Sequence, residues 1–310
     1  AVAGTANSAA ISKRSAAAFG YVSDEFAGWF DRSSVKCAPI INRGTYVRVA
    51  AIDSICEQFA PARADAAGGE PAPPRQILSL GAGLDTRPWR MRRAGASLSR
   101  YVEVDLPCVC ERKRQLLLKK GGAPPRLPGL AEDGGAADTA GSNVGTANTL
   151  SPLAAADDAL VCADLADIDS LLTALASARF DPKLPTLVLI ECVLVYMEPA
   201  AGSALLAFLA AHLPDAACLA YDMIRPDDAF GRQMVSNLEG RGLRIPGISG
   251  CADTNAHEAR FAACGWRGCK SVDMVHWYER ELPRVERQRV ERLEWLDEVE
   301  EWRLLLSHYC

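Results

Sequence analysis

Gly81 and Gly83 close an apolar run, Ile77-Leu78-Ser79-Leu80, and Asp105 closes a second, Tyr101-Val102-Glu103-Val104. Runs of this kind read as strands buried in a parallel sheet. Glycine at a strand end lets backbone approach a ligand closely. An acid at the end of the next strand is where a doubly wound sheet accepts hydrogen bonds from ribose hydroxyls. Two further runs carry acids at or near their ends: Ala159-Leu160-Val161-Cys162-Ala163 before Asp164, and Thr186 to Tyr196, which contains Glu191. These positions predict one rim that holds a nucleotide-type ligand. The glycine pair alone is a weak signal. A strand–turn–helix whose glycines serve only the turn is its competing reading.

Where the dinucleotide fingerprint has a third glycine, this chain has Thr86. A pyrophosphate needs the close helix approach that glycine permits, whereas an adenosyl group without phosphates does not. The departure favours S-adenosylmethionine over NAD. Asp85 and Thr86 are expected to shape the turn.

The elements that must position this rim follow from periodicity. Residues 1–60 read as a helical cap, with Phe26, Trp29 and Phe30, then Tyr46, Val49, Ile52 and Phe59, at helical spacing. Pro39 separates two of its helices. Residues 60–75 form an Ala/Gly/Pro-rich connector. Strands at 76–80, 100–105, 159–164, 186–196 and 218–222 alternate with helices at 87–93, 107–120, 167–180 and 198–213. That alternation predicts an α/β fold, a mainly parallel, doubly wound sheet. A cofactor-binding core spans 76–223, interrupted by an exposed, poorly ordered insertion at 121–158. Beyond it, 224–310 carries substrate-side helices near 227–243 and 253–264, a strand near 267–273 and a charged helix over 284–307. The whole reads as one domain, with a sheet edge that Ser307–Cys310 could only begin.

Composition narrows the function. The chain has 310 residues, 49% of them hydrophobic, enough for a full core. Its net charge of −5 argues against electrostatically driven nucleic-acid binding. The basic cluster around Glu111-Arg112-Lys113-Arg114 reads as a solvated helix face. No apolar run reaches the ~18 residues of a membrane span, and the Ala/Ser-rich start lacks the apolar core of a signal peptide. Eleven cysteines, an odd number without paired spacing, read as reduced thiols of a cytoplasmic protein. Four scattered histidines give no catalytic metal motif.

At this point the chain resembles the leucine carboxyl methyltransferases, nearly end to end. The likeness is carried by Lys13-Arg14 before Phe19-Gly20-Tyr21, by Ala38-Pro39-Ile40-Ile41-Asn42-Arg43-Gly44, and by Leu80 to Thr86. It continues in Glu103-Val104-Asp105-Leu106-Pro107, Ala163-Asp164-Leu165 and Leu187 to Met197, then Glu291 to Glu298 and Ser307-His308-Tyr309-Cys310. Pro-x-Ile-Asn-Arg-Gly and Glu-Cys-Val-Leu-Val-Tyr are its most specific strings.

The resemblance implies a class-I S-adenosylmethionine-dependent methyltransferase. Its reaction would be esterification of the C-terminal leucine α-carboxylate of the type 2A protein phosphatase catalytic subunit. Such modification regulates phosphatase holoenzyme assembly and leaves S-adenosylhomocysteine. Carried over by motif, Lys13, Arg43, Gly81, Gly83, Asp105, Asp164, Leu165 and Glu191 would bind the donor. Lys13 and Arg43 would hold its carboxylate, with Arg43 shared with the substrate; Tyr196 would shape the leucine pocket. A monomer with no nucleic-acid or membrane partner is expected.

The chemistry agrees with these residues. An α-carboxylate is already ionised at neutral pH, with a pKa near 3.3–3.7, so no general base is needed. An in-line displacement asks mainly for alignment. Rival readings are a wybutosine-type tRNA carboxyl methyltransferase, which carries an additional propeller region, and a methyltransferase acting on small acids. A non-catalytic phosphatase-tail binder and an NAD-dependent oxidoreductase are the rivals from other classes.

Overall fold

In the computed structural model all residues are described except 1, 32, 63–72, 120–148 and 154–157. Helices α1 (Val2–Ala18), α2 (Ala27–Phe30) and α3 (Pro39–Phe59) come first. There follow β1 (Gln76–Leu80), α4 (Arg87–Arg93), β2 (Arg100–Asp105), α5 (Pro107–Leu118), β3 (Thr149–Leu153), β4 (Asp158–Cys162), α6 (Ile168–Ser177), β5 (Thr186–Glu191), α7 (Pro199–His212) and β6 (Ala216–Tyr221). The last third carries α8 (Ala229–Gly240), α9 (Thr254–Ala263), α10 (Met274–His276), α11 (Arg284–Glu291) and α12 (Val299–Ser307). None of the described helices is long and apolar enough to cross a membrane.

The sheet runs β3-β4-β2-β1-β5-β6. Five strands are parallel, and β3 joins β4 antiparallel at the edge. After β1 the chain moves outward to β2 and β4, then crosses back to β5 on the other side of β1. The carboxyl ends on either side of that reversal form the crevice where doubly wound sheets bind ligands. Register keeps those ends level: Leu80 pairs with Val104 and Ile190, and Asp105 with Cys162. This is an α/β fold with a doubly wound, mainly parallel sheet.

Period-two alternation divides the sheet between two cores. Ile77, Tyr101, Leu187 and Leu189 face one core with Tyr46, Val47 and Ile52 of α3, Val290 of α11 and Trp302 and Leu306 of α12. Leu78, Val102, Val188 and Ile190 face the other with α6, α7 and Phe261 of α9. Helix α3 of the N-terminal cap and helices α11 and α12 therefore share one face of the sheet, and α9 lies on the other.

Several expectations change. The apolar run from Thr186 does not continue as strand to Tyr196. It ends at Glu191, because Cys192 takes a φ of 54° and Leu194–Tyr196 closes into a 3₁₀ turn. No strand forms at 267–273, where Gly265 and Gly268 turn the chain at φ 95° and 67°. The 284–307 helix is two, α11 and α12. Tyr309 makes an antiparallel bridge to Met223, and Asp222 and Cys310 exchange backbone hydrogen bonds at 3.1 Å. Most of the 121–158 insertion and of the 60–75 connector lies outside the described residues, but 149–153 supplies β3.

The basic cluster is not simply a solvated face. Lys113 is fully buried, with Nζ 2.7 and 2.8 Å from the Glu103 carboxylate and 2.9 Å from the Asp85 carbonyl. The rings of Phe30 and Trp89 lie 5.3 and 5.2 Å from it. A four-carbon stem can bury its length when an anion waits at the end.

Candidate active site

A cavity of about 740 Å³ opens at the strand ends, between the sheet rim, α1 and the end of α8. Gly81, Gly83, Asp105, Asp164, Leu165, Glu191, Lys13 and Tyr196 all line it. A larger hollow of about 1000 Å³, between α3 and the Trp277–Arg289 region, is lined by none of the sequence-predicted site residues.

Both glycines of the rim are needed for shape. Gly81 has φ 66°, and a Cβ there would meet Val193 Cγ2 at 2.4 Å. Gly83 has φ 55°, and its N–H donates to Asp105 Oδ2 at 2.6 Å. Asp105 Oδ1 accepts from the Leu106 N–H at 2.7 Å. Burial pushes the Asp105 carboxyl up, against those two backbone donors. One acid thus ties the end of β2 to the glycine turn after β1 while lining the cavity. Asp164 is exposed and accepts from the Ala166 N–H at 3.0 Å; Leu165 beside it is buried.

Beside the glycine turn, charge is concentrated. Lys13 of α1 reaches Glu191 Oε1 at 3.1 Å and Asp85 Oδ1 at 3.4 Å. Arg48 of α3 donates to the same Glu191 oxygen at 2.5 Å. Beneath them Arg87, fully buried, donates to Asp53 at 2.8 Å, to Asp85, and to Glu191 Oε2 at 3.4 Å. Burial would raise the Glu191 carboxyl, but the fields of Arg48, Lys13 and Arg87 win and hold it down at about 2. Asp85, equally buried, is held well below the usual carboxylate range by Arg87, Lys13 and Arg90. The acids are ionised and the cations fixed, so polar groups stand preorganised beside the glycine rim.

Arg43 is not among these residues. It is buried elsewhere, donating from Nη2 to the Glu294 carbonyl at 3.0 Å with its guanidinium 5.7 Å from the Trp302 ring. Asn42 beside it donates to Glu294 Oε2 at 2.8 Å. The Asn-Arg pair of the Pro-x-Ile-Asn-Arg-Gly string therefore clasps α3 to the C-terminal region. Arg48 lies five residues on, about 140° round the helix at roughly 100° per residue, and faces the cavity instead. The sequence reading missed it. The available signal was a cation close to the stripe of Tyr46, Val49 and Ile52, since an arginine half-buried on an apolar face needs a partner.

Asp85 and Tyr309 were also missed as cavity residues. Tyr309 stacks on Tyr221 at 5.4 Å, and Arg48 lies 5.4 Å from the Tyr221 ring. Tyr196 lines the cavity, its hydroxyl pushed up to about 12 by burial. Among the described residues no histidine lines the cavity, and no group of three or more His, Cys, Asp or Glu could hold a metal ion.

Comparisons with known proteins follow the same lines. The sequence profile of the leucine carboxyl methyltransferase family matches residues 3–210. The Homo sapiens protein named tRNA wybutosine-synthesizing protein 4 is 37% identical over 311 residues, 100% of this chain and 43% of its own. The chain thus spans less than half the length of that relative. Leucine carboxyl methyltransferase 1 of Bos taurus is 33% identical, over 100% of this chain and 88% of its own. The Arabidopsis thaliana leucine carboxyl methyltransferase 1 homolog is 32% identical, over 100% and 87%. Among solved structures, one described as PigF with SAH aligns over 64% of this chain and 52% of its own, with 14% identity and a TM-score of 0.38, too slight a likeness to argue from. Profile and full-length relatives agree, and the chain belongs to the leucine carboxyl methyltransferase family.

Proposed function

We propose that this chain binds S-adenosylmethionine in the rim cavity and catalyses methyl transfer to a carboxylate. The acceptor we favour is the C-terminal leucine of the type 2A protein phosphatase catalytic subunit. The observation that carries the reading is the meeting of Lys13 and Arg48 with Glu191 beside the Gly81–Asp105 rim. An amino-acid moiety needs a cationic partner for its carboxylate and an anionic one for its ammonium; this cluster offers both. A ribose needs an acceptor at the end of β2, which is Asp105.

The cavity residues fit the donor. Lys13 and Arg48 would hold its carboxylate and Glu191 its amino group. Asp105 would take the ribose hydroxyls, with Asp164 and Leu165 beside the base. When bound, S-adenosylmethionine supplies a methyl on a sulfonium: a carboxylate oxygen forms the new C–O bond and the C–S electron pair returns to sulfur. The protein's part is alignment and exclusion of water, which α1 and Tyr196 support as parts of the cavity wall. An acceptor carboxylate arrives ionised, so a cavity wall without histidine is no handicap.

One observation favours a second acceptor. The 37% identity to tRNA wybutosine-synthesizing protein 4 exceeds the 32–33% to the Arabidopsis and bovine relatives. A carboxyl group on a modified tRNA base is therefore the alternative. Labelled methyl transfer decides between them, offering intact phosphatase catalytic subunit, the subunit lacking its last leucine, and tRNA with a carboxyl-bearing wybutosine precursor. Base-labile label on the intact subunit alone supports the proposal. Label on the tRNA alone replaces it, and label on neither rejects both.

A further inference from the structure

Two carboxylates must be held in a carboxyl methyltransferase: that of the donor and that of the acceptor. Lys13 and Arg48 are both committed to Glu191, and Lys13 also to Asp85. A third cation lines the cavity, Arg241, just past the end of α8. It is exposed, and no acid lies within ion-pair distance of it among the described residues. A cation at a helix C-terminus is favoured by the helix dipole. That accounts for the charge but not for its place on the cavity wall.

The turn that presents Arg241 is closed by backbone hydrogen bonds. Gly242 adopts φ 73°, its N–H bonds to the Glu239 carbonyl at 2.8 Å, and the Leu243 N–H bonds to the Leu238 carbonyl at 3.0 Å. This is a Schellman cap, which pairs the two flanking apolar residues. Leu238 packs with Val195, Met223, Ile245 and Ile248. Leu238, Leu243, Met223 and Met197 share the cavity lining with Arg241. An unpaired guanidinium beside an apolar wall suits a carboxylate carried next to a branched hydrocarbon group.

We propose that Arg241 binds the acceptor carboxylate, and that Leu238, Leu243, Met223 and Met197 receive the apolar group attached to it. The assignment rests on the carboxyl-methylation reading above. Arg241 grips one carboxylate oxygen and leaves the other for attack, because a fully paired nucleophile is blunted. It makes the end of α8 the specificity-determining segment.

The test uses two probes on the full chain saturated with S-adenosylhomocysteine. N-acetyl-L-leucine and N-acetyl-L-leucinamide are titrated by NMR against wild type, R241A and R241K. Expected is binding of the acid but not the amide by wild type, a loss of about tenfold or more in R241A, and partial recovery in R241K. Affinity for S-adenosylhomocysteine should stay within about threefold in both variants, as befits a residue outside the donor site. In the transfer assay, R241A should raise the acceptor KM with kcat little changed, the signature of lost uniform binding. Equal acid binding by R241A and wild type, or none by wild type, overturns the assignment. Transfer to neither macromolecular acceptor, with acid binding still dependent on Arg241, sinks the proposed function and leaves the subsite standing.

Discussion

Arg48 and Glu191, 143 residues apart in the chain, meet at 2.5 Å on the wall of the rim cavity, and Lys13 reaches the same carboxylate oxygen at 3.1 Å. Three elements that are remote in sequence, α1, α3 and the end of β5, are brought together by that one carboxylate. The cap is thereby coupled electrostatically to the sheet it covers. In the proposed complex an incoming carboxylate would share the two cations with Glu191, so little rearrangement is needed when the donor binds.

Arg48→Ala is expected to weaken S-adenosylhomocysteine binding by at least tenfold. Truncating one member of a buried charge pair typically costs about 2–5 kcal/mol, much of it from the partner left behind. Arg43→Ala should do the reverse, lowering stability by about 2 kcal/mol through lost packing under Trp302 and a lost hydrogen bond, with donor affinity near wild type. Calorimetry and thermal melts on the two variants check the exchange of roles. Intact donor binding in Arg48→Ala would reject it.

Asp105→Ala should reduce donor affinity by about 10- to 100-fold, since hydrogen bonds to a charged group are worth roughly 1.5–3 kcal/mol. It also removes the tie to the Gly83 N–H. Asp105→Asn therefore serves as the companion, because it keeps an acceptor for that N–H. A calorimetric affinity unchanged in both variants would discard the ribose assignment.

Gly81→Ala is expected to cost more than Gly83→Ala. At Gly81 the new Cβ would come within 2.4 Å of Val193 Cγ2, whereas at Gly83 it would lie 3.5 Å from Ala6 Cβ, an ordinary contact. Both positions carry positive φ, so the backbone penalty of about 1–2 kcal/mol is common to them and the difference reads the clash. Melting temperature and donor affinity measured side by side give the order. Equal effects would mean that Val193 moves aside freely.

Acid should undo the charge cluster in a defined window. Glu191 is depressed to about 2 in the folded chain against an ordinary value of 4.5. Between those values the unfolded chain binds more protons, so stability rises with pH there and falls as pH drops from about 4.5 towards 2. Buried His257, lowered from 6.5 to about 4 by burial and Arg260, has the same sign in its own window from about 6.5 to 4. Glu191→Gln isolates the first contribution: its melting temperature should be lower at pH 7, and its loss below pH 4.5 shallower than wild type. Parallel curves below that pH would contradict the assignment.

The sheet and its rim were legible in the sequence because their signals are local. β1, β2 and β5 are buried on both faces, so they read as continuous apolar runs. Gly81, Asp105, Asp164 and Glu191 sit at strand ends or just beyond them, and a parallel sheet gathers such ends on one rim whatever the loops do. The length of β5 was not legible, because Cys192 to Tyr196 are apolar too. What stops the strand is the left-handed backbone at Cys192, which its side chain does not announce.

What only the tertiary structure decided is which charges meet. Lys113 looked solvated beside Glu111, Arg112 and Arg114, yet it is buried on Glu103. Arg43 and Arg48 are the same residue type on one helix. Motif alone pointed to Arg43, but helical rotation turns it to Glu294 and Trp302 and turns Arg48 to Glu191. Arg241 and Tyr309 join the cavity only through the folding-back of the C-terminal third. Hydrophobic periodicity is written within a few neighbouring residues, so sequence alone determined the layers and the glycine–acid rim. A buried charge takes its meaning from a partner tens to hundreds of residues away, and only packing the helices on the sheet selects that partner.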